Sequence, residues 1–395
     1  MKKVSVAVFQ LLFVSATIAL AQASSQPTQI TVDCNKGQSL NQSLAKLNPQ
    51  APYTVSVNGT CTEFIQVAGF HSLVLKGLPG ATLVQPTTGG GNLLTATLYI
   101  ESSQSVQIEG FAVQGSASGP ADIAIGHGST DIRLRSLTVQ GGNGGILIFE
   151  NSQVSSAYVH VQDAGYGSVE IYDSSDVHVE HCLFENTTSD NGWHQGIGVG
   201  ASHVTMYGTT IRNMQQAIAG GADGVVDLVV FNTYYAATGS TDVVIDSSAG
   251  NTFSGVNLVG GSLNIFGAKL VINKSGQSWG GTTAGVNLDQ GATMLANNGL
   301  LSITGSLGQG IVAMNNSHAT LFGATISQGA HAGLVAINNS SIDLSTNNTP
   351  PSTISGNAVD LFCDSDSKIT GTANIAGVPT AQCTNLLSTE TVALP

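Results

Sequence analysis

The chain has 395 residues, only 9% of them charged, and its 24 acidic against 11 basic side chains give a formal net charge of −13. Such a surface repels nucleic acid and anionic membranes, and it disfavours bare polyanionic sugars unless a cation bridges them. A chain this long ordinarily makes two or three domains, unless an internal repeat makes it one.

Residues 1–23 open with Lys2 and Lys3, continue as an apolar run and offer small-residue cleavage sites at Ala19-Leu20-Ala21 and Ala21-Gln22-Ala23. This is the pattern of a secretory signal peptide. It predicts a protein exported from a bacterial cell, extracellular or periplasmic, whose charge falls from −13 to −15 with the loss of the two lysines. A membrane anchor is the alternative, but the run is at the short end for spanning a bilayer. No later run is long and apolar enough, so no transmembrane segment is expected in the mature chain.

Residues 24–62 read as an N-terminal cap. The stretch GQSLNQSLAKLN (37–48) spaces Leu40, Leu44 and Leu47 along one face of a short helix, and the exposed end of a solenoid needs such cover. The five cysteines are Cys34, Cys61, Cys182, Cys363 and Cys383. An oxidising compartment favours Cys34–Cys61 and Cys363–Cys383 as staples at the two ends, with Cys182 left free. No cysteine spacing resembles a metal site.

The repeat lies in residues 63–362. Four segments, starting at 122, 145, 168 and 196, each give two apolar residues two apart, a polar turn, two more two apart, a short gap and a final pair. Later, GIVAMNNSHATL (310–321) aligns with GLVAINNSSIDL (333–344). Apolar spacing of two means strands, and three short strands per repeat make one coil of a parallel β-helix whose coils stack about 4.8 Å apart. The expected fold is therefore all-β, a right-handed parallel β-helix solenoid with a short N-terminal capping helix. Cys182 falls in an inward column with Leu137 and Val159, as a small core residue. Residues 185–195 and 273–285 break the pattern and read as projecting loops. Residues 363–395 form the C-terminal cap and tail.

The coils, the signal peptide and the NGTCTEFIQV strand (58–67) resemble the secreted right-handed β-helix proteins of the pectin-lyase-like superfamily. That resemblance implies the fold and leaves the activity open, because the group spans lyases, polygalacturonases, epimerases, tailspikes and adhesins. Gly126-His127-Gly128 matches a polygalacturonase triplet, yet residues 34–121 contain no Asp to serve as acid and base, and the same column holds Glu150 and Asp173. The triplet reads as a turn.

Chemistry is expected where outward columns gather the few charged groups. His178, His160, Glu180 and Arg133 are the candidate catalytic residues of a polysaccharide lyase. A histidine would abstract a proton, and Arg133 would stabilise the developing charge. Arg135, Glu185, Arg212, Trp193, His194 and Trp279 are the candidate substrate-binding residues, with arginines on a uronate carboxylate and tryptophans on sugar faces. A hydrolase would instead need two carboxylates, for which Glu150 with Asp173, and Asp131 with Asp176, share columns. The alternative is a solvated face on a non-catalytic surface, matrix or adhesin-like solenoid that binds a glycan or a partner protein. The expected partner is a polysaccharide or glycan, and calcium is the one cofactor considered.

Overall fold

The computed structural model describes residues 26–86, 95–117, 119–188, 194–221, 223–229, 240–247, 253–276, 283–346 and 349–376. Residues 1–23, read above as a signal peptide, and Cys383 lie outside these. Successive strands are parallel and build three long sheets. In coil order, the first has 12 strands, the second 14 and the third 13. The chain is a right-handed parallel β-helix. Among the described residues no helix is long and apolar enough to cross a membrane.

Register follows the apolar columns. In the first sheet Ile123 pairs with Ile146, Val169 with Ile197, and Ile311 with Leu334. In the second, Val154 pairs with Val177 and Val177 with Val204. All of these side chains are buried. Cys182 stands free and buried in the core, and burial pushes its thiol up to about 12, so it is an inert apolar filler. The coils lengthen in mid-chain, where Ile218 pairs with Val256 and Val256 with Val286.

The corners turn through left-handed residues. Ser136, Tyr158 and His181 each make the bend from second to third sheet at φ of 51°, 56° and 49°. His127 and Gly128, Glu150 and Asn151, and Asp173 and Ser174 do so between first and second. The Gly126-His127-Gly128 triplet is thus an ordinary corner. Buried hydroxyls line that corner one coil after another, with the Ser152 amide donating to Ser175 Oγ (3.2 Å) and the Ser175 amide to Ser202 Oγ (3.1 Å). Further along, Asn338 Nδ2 donates to Asn315 Oδ1 (3.0 Å) and Asn339 Nδ2 to Asn316 Oδ1 (2.7 Å), so the Asn-Asn-Ser turns stack as ladders.

At the N-terminus a helix spans Leu40–Leu44 and buries both leucines. Ser39 caps it, accepting from the Gln42 amide, and Glu63 accepts from the Leu40 amide and the Ser39 hydroxyl. Cys34 and Cys61 are bonded to each other, tying this segment to the first strands. Cys363 is also disulfide-bonded.

One inward column, at the start of the first-sheet strands, is built largely of very small residues. A Cβ on Gly255 or Gly285 would meet the carbonyl oxygen of the next coil's glycine at 2.7 Å. Asp122 heads this column and is fully buried. Gly115 and Gly142 leave it room, and neither carboxyl oxygen has a hydrogen-bond partner. Burial pushes Asp122 up to about 8. The native state therefore holds a proton that the unfolded chain releases near pH 4. The stability linked to that proton is full below about pH 4 and lost as pH rises towards about 8, on the order of a few kcal/mol. Asp122→Asn, which cannot ionise, is expected to raise the urea midpoint at pH 9 far more than at pH 5. An equal effect at both pH values would put the pH dependence elsewhere.

Candidate functional site

The structure assembles the expected columns. Arg133, Ser155, His178 and Thr205 follow one another across the second sheet, as do Arg135, Ala157, Glu180 and Tyr207. In the third sheet Thr138, His160, Leu183 and Thr210 align, beside Gln140, Gln162, Glu185 and Arg212.

These groups are largely engaged with one another. Arg133 is held by Asp131 on its own strand, Nη2 and Nε lying 2.8 and 2.9 Å from Oδ1. His160 Nε2 meets Glu185 Oε1 at 2.8 Å. Glu180 accepts from the Tyr207 hydroxyl (2.5 Å), with His178 Nε2 3.5 Å from the same oxygen and His178 Nδ1 2.9 Å from Thr205 Oγ1. Tyr207 belongs to an outward column, yet His178 and His181 pack against its ring and it is only 1% exposed. Arg135 and Arg212 are exposed. His194, expected beside an open loop, is buried, with Nδ1 3.0 Å from the Ala164 carbonyl oxygen, so it presents no face to a ligand. Trp193 and Trp279 lie outside the described residues.

A shallow depression of about 460 Å³ on the second sheet is lined by Asp131, Gln153, Asp176, His178, His203 and Thr205. It brings the paired carboxylates of Asp131 and Asp176 together, two coils apart, but Arg133 already holds Asp131 and His203 holds Asp176. His203 was not legible as a site residue. Its Nδ1 lies 3.0 Å from Asp176 and its Nε2 3.1 Å from Asp227, one coil to either side. The ring thus bridges carboxylates in the coils before and after its own, a strut over three coils. Glu150, the other carboxylate pair's first member, is held by His127 Nδ1 at 2.5 Å. Among the described residues, the three potential ligands close enough to share a cation are Cys34, Cys61 and Glu63, and the two sulfurs are bonded to each other.

The first sheet carries a second groove, of about 260 Å³, that the column analysis missed. Its walls include Tyr166, Tyr172, Gln195, Gln216 and Asn257, and its floor includes Gly198, Gly200, Gly220 and Gly221. Tyr166 is 47% exposed and Tyr172 36%. Beneath them Glu170 is buried and accepts from the Tyr172 hydroxyl. A Cβ on Gly167 or Gly198 would overlap the Glu170 carboxyl, and one on Gly200 would press on the Tyr172 ring at 3.0 Å. Glycines therefore make the room in which the acid lies flat along the sheet. Burial holds Glu170 above the usual carboxylate range, against the Tyr172 hydrogen bond, and burial with Glu170 beside it raises the Tyr172 phenol. A perturbed acid in a groove is the ordinary mark of a working site.

The family model described as the right handed beta helix region matches residues 92–229. No curated protein matches the chain. Among solved structures, the periplasmic alginate epimerase AlgG is similar at 12% identity over 88% of this chain and 83% of that one, with a TM-score of 0.47. The catalytic domain of a GH87 α-1,3-glucanase in complex with nigerose is similar at 10% identity over 90% and 70%, with a TM-score of 0.49. PfbA, a surface adhesin of Streptococcus pneumoniae, is similar at 12% identity over 80% and 81%, with a TM-score of 0.36.

The His203 strut can be weighed by double-mutant cycles. Removing His203 together with Asp227, whose side chain is 23% exposed, is expected to reveal a coupling of about 0.5–1 kcal/mol in chemical denaturation. With Asp176, 61% exposed, the coupling should be smaller. Equal or zero couplings would show that the strut holds nothing together.

Proposed function

We propose that the protein is an exported polysaccharide-binding β-helix whose ligand lies in the first-sheet groove. The observation that carries this reading is the pair of exposed tyrosines flanking a glycine floor above a buried carboxyl. Aromatic faces pack against the C–H faces of sugar rings, and the phenol keeps one polar end for a hydroxyl. Gln216 Oε1 accepts from Gln195 Nε2 (3.4 Å) and Asn257 Oδ1 from Asn287 Nδ2 (2.7 Å), so the Gln216 and Asn257 amides would meet sugar hydroxyls chiefly as donors. Burial favours the protonated form of Glu170, which can donate.

The groove's described lining residues include no carboxyl group and no histidine, and the one acid beneath them, Glu170, is buried, so they supply neither the two carboxylates of a hydrolase nor the usual proton-abstracting base. Binding is therefore the better supported activity. A lyase centred on His178, with His160, Glu180 and Arg133, is the second reading, favoured by the open depression that exposes His178 beside Asp176 and His203. It needs Arg133 released from Asp131 and His160 from Glu185.

Tyr166→Ala with Tyr172→Ala is expected to weaken polysaccharide binding at least tenfold in titration calorimetry, with the fold intact by circular dichroism. Unchanged affinity would move the site elsewhere. Binding is expected to decline as pH rises through the raised titration of Glu170, and Glu170→Gln, a permanent neutral donor, should flatten that decline. Formation of unsaturated uronate from any polymer, abolished by His178→Ala, would establish the lyase reading instead.

A further inference from the structure

The three sheets differ sharply in charge. None of the twelve strands of the first sheet, from Ile65–Ala68 to Val359–Cys363, contains a Lys, an Arg or a His. The same strands contain Glu101, Glu170, Asp289 and Asp360. The second sheet, by contrast, carries Arg133, Arg135, His178 and His203, and the third carries His160 and Arg212. Basic side chains are thus present in the coils that form the groove, but they stand on the two other faces.

That distribution decides which sugar the groove accepts. A polyuronate brings a carboxylate with every unit. Carboxylates are recognised by the fork of an arginine or the ammonium of a lysine. In the groove a uronate would meet two tyrosines, three amides and four glycines, with Glu170 buried beneath. Bringing its charge there without a cation costs several kcal/mol, and the chain's net charge of −13 repels the polymer before it arrives. An uncharged sugar pays neither penalty, since its hydroxyls match the amides of Gln195, Gln216 and Asn257.

We infer that the first-sheet groove selects an uncharged glycan and rejects polyuronates. This deepens the groove reading above and rests on it. It replaces the uronate-binding role that the sequence suggested for the arginines.

The test is a binding panel on the full mature chain, using a glucan, a galactan and a mannan beside polygalacturonate and alginate, at low and high salt and with and without calcium. The expected result is binding of at least one neutral polymer, insensitive to salt and at least tenfold weaker in the Tyr166→Ala, Tyr172→Ala double variant. Both polyuronates should bind at least a hundredfold more weakly under every condition. Asn257→Arg, which sets one cation in the groove, should gain polyuronate binding that is lost in high salt. Polyuronate binding by the unaltered chain that the double tyrosine variant abolishes would overturn the inference while leaving the groove as the site. Neutral-polymer binding that survives the double variant would overturn the groove itself. A panel in which no neutral polymer binds would overturn the inference as well.

Discussion

The spacing of parallel strands governs this molecule. Backbone hydrogen bonds hold neighbouring strands about 4.8 Å apart, so each side chain meets the residue at the same place in the coil before and the coil after. Whatever a position contains must be compatible with copies of itself. Serine satisfies that condition at the first corner by passing hydrogen bonds along the row, and asparagine does so in the Asn-Asn-Ser turns. Glycine satisfies it at the start of the first-sheet strands, where a carbonyl of the next coil leaves no room for a Cβ. His203 meets unlike partners instead, Asp176 at the same place in the coil before and Asp227 in the coil after, two residues over.

The fold and its columns were legible where coils keep one period. From residue 122 to 214 the columns read from the sequence are those of the structure, because strand alternation and turn residues recur together. Between 215 and 305 the insertions shift each coil by a different amount, and no residue pattern says which partner Ile218 or Val256 will find. The ionic partners were less legible still. Arg133 turned to Asp131, two residues away, and His160 to Glu185, one coil on and two residues over. Such diagonal contacts depend on side-chain direction and not on column membership.

Glu170 escaped detection for a related reason. In the run Ser168-Val169-Glu170-Ile171 it looks like the solvent-facing member of an alternating strand. Its burial depends on Gly167 beside it, Gly198 in the following coil and Tyr172 two residues on. The signal was present as glycines, which the eye assigns to turns, and it becomes readable only once register places Gly198 against Glu170. The basic groups of the second and third sheets thus stand apart from the first sheet, whose strands carry acids and no basic side chain.

The Cys34–Cys61 bond has a consequence for biogenesis. Both cysteines, the short helix and Glu63 lie in the earliest part of the described chain. A polypeptide emerging N-terminus first can oxidise and seal this end before its middle has been released. Each later coil then finds a finished template with free backbone groups along one rim, and growth proceeds in one direction. Assembly by addition to a closed end keeps the number of unpaired strand rims at one throughout, which limits the time during which two nascent copies can join edge to edge.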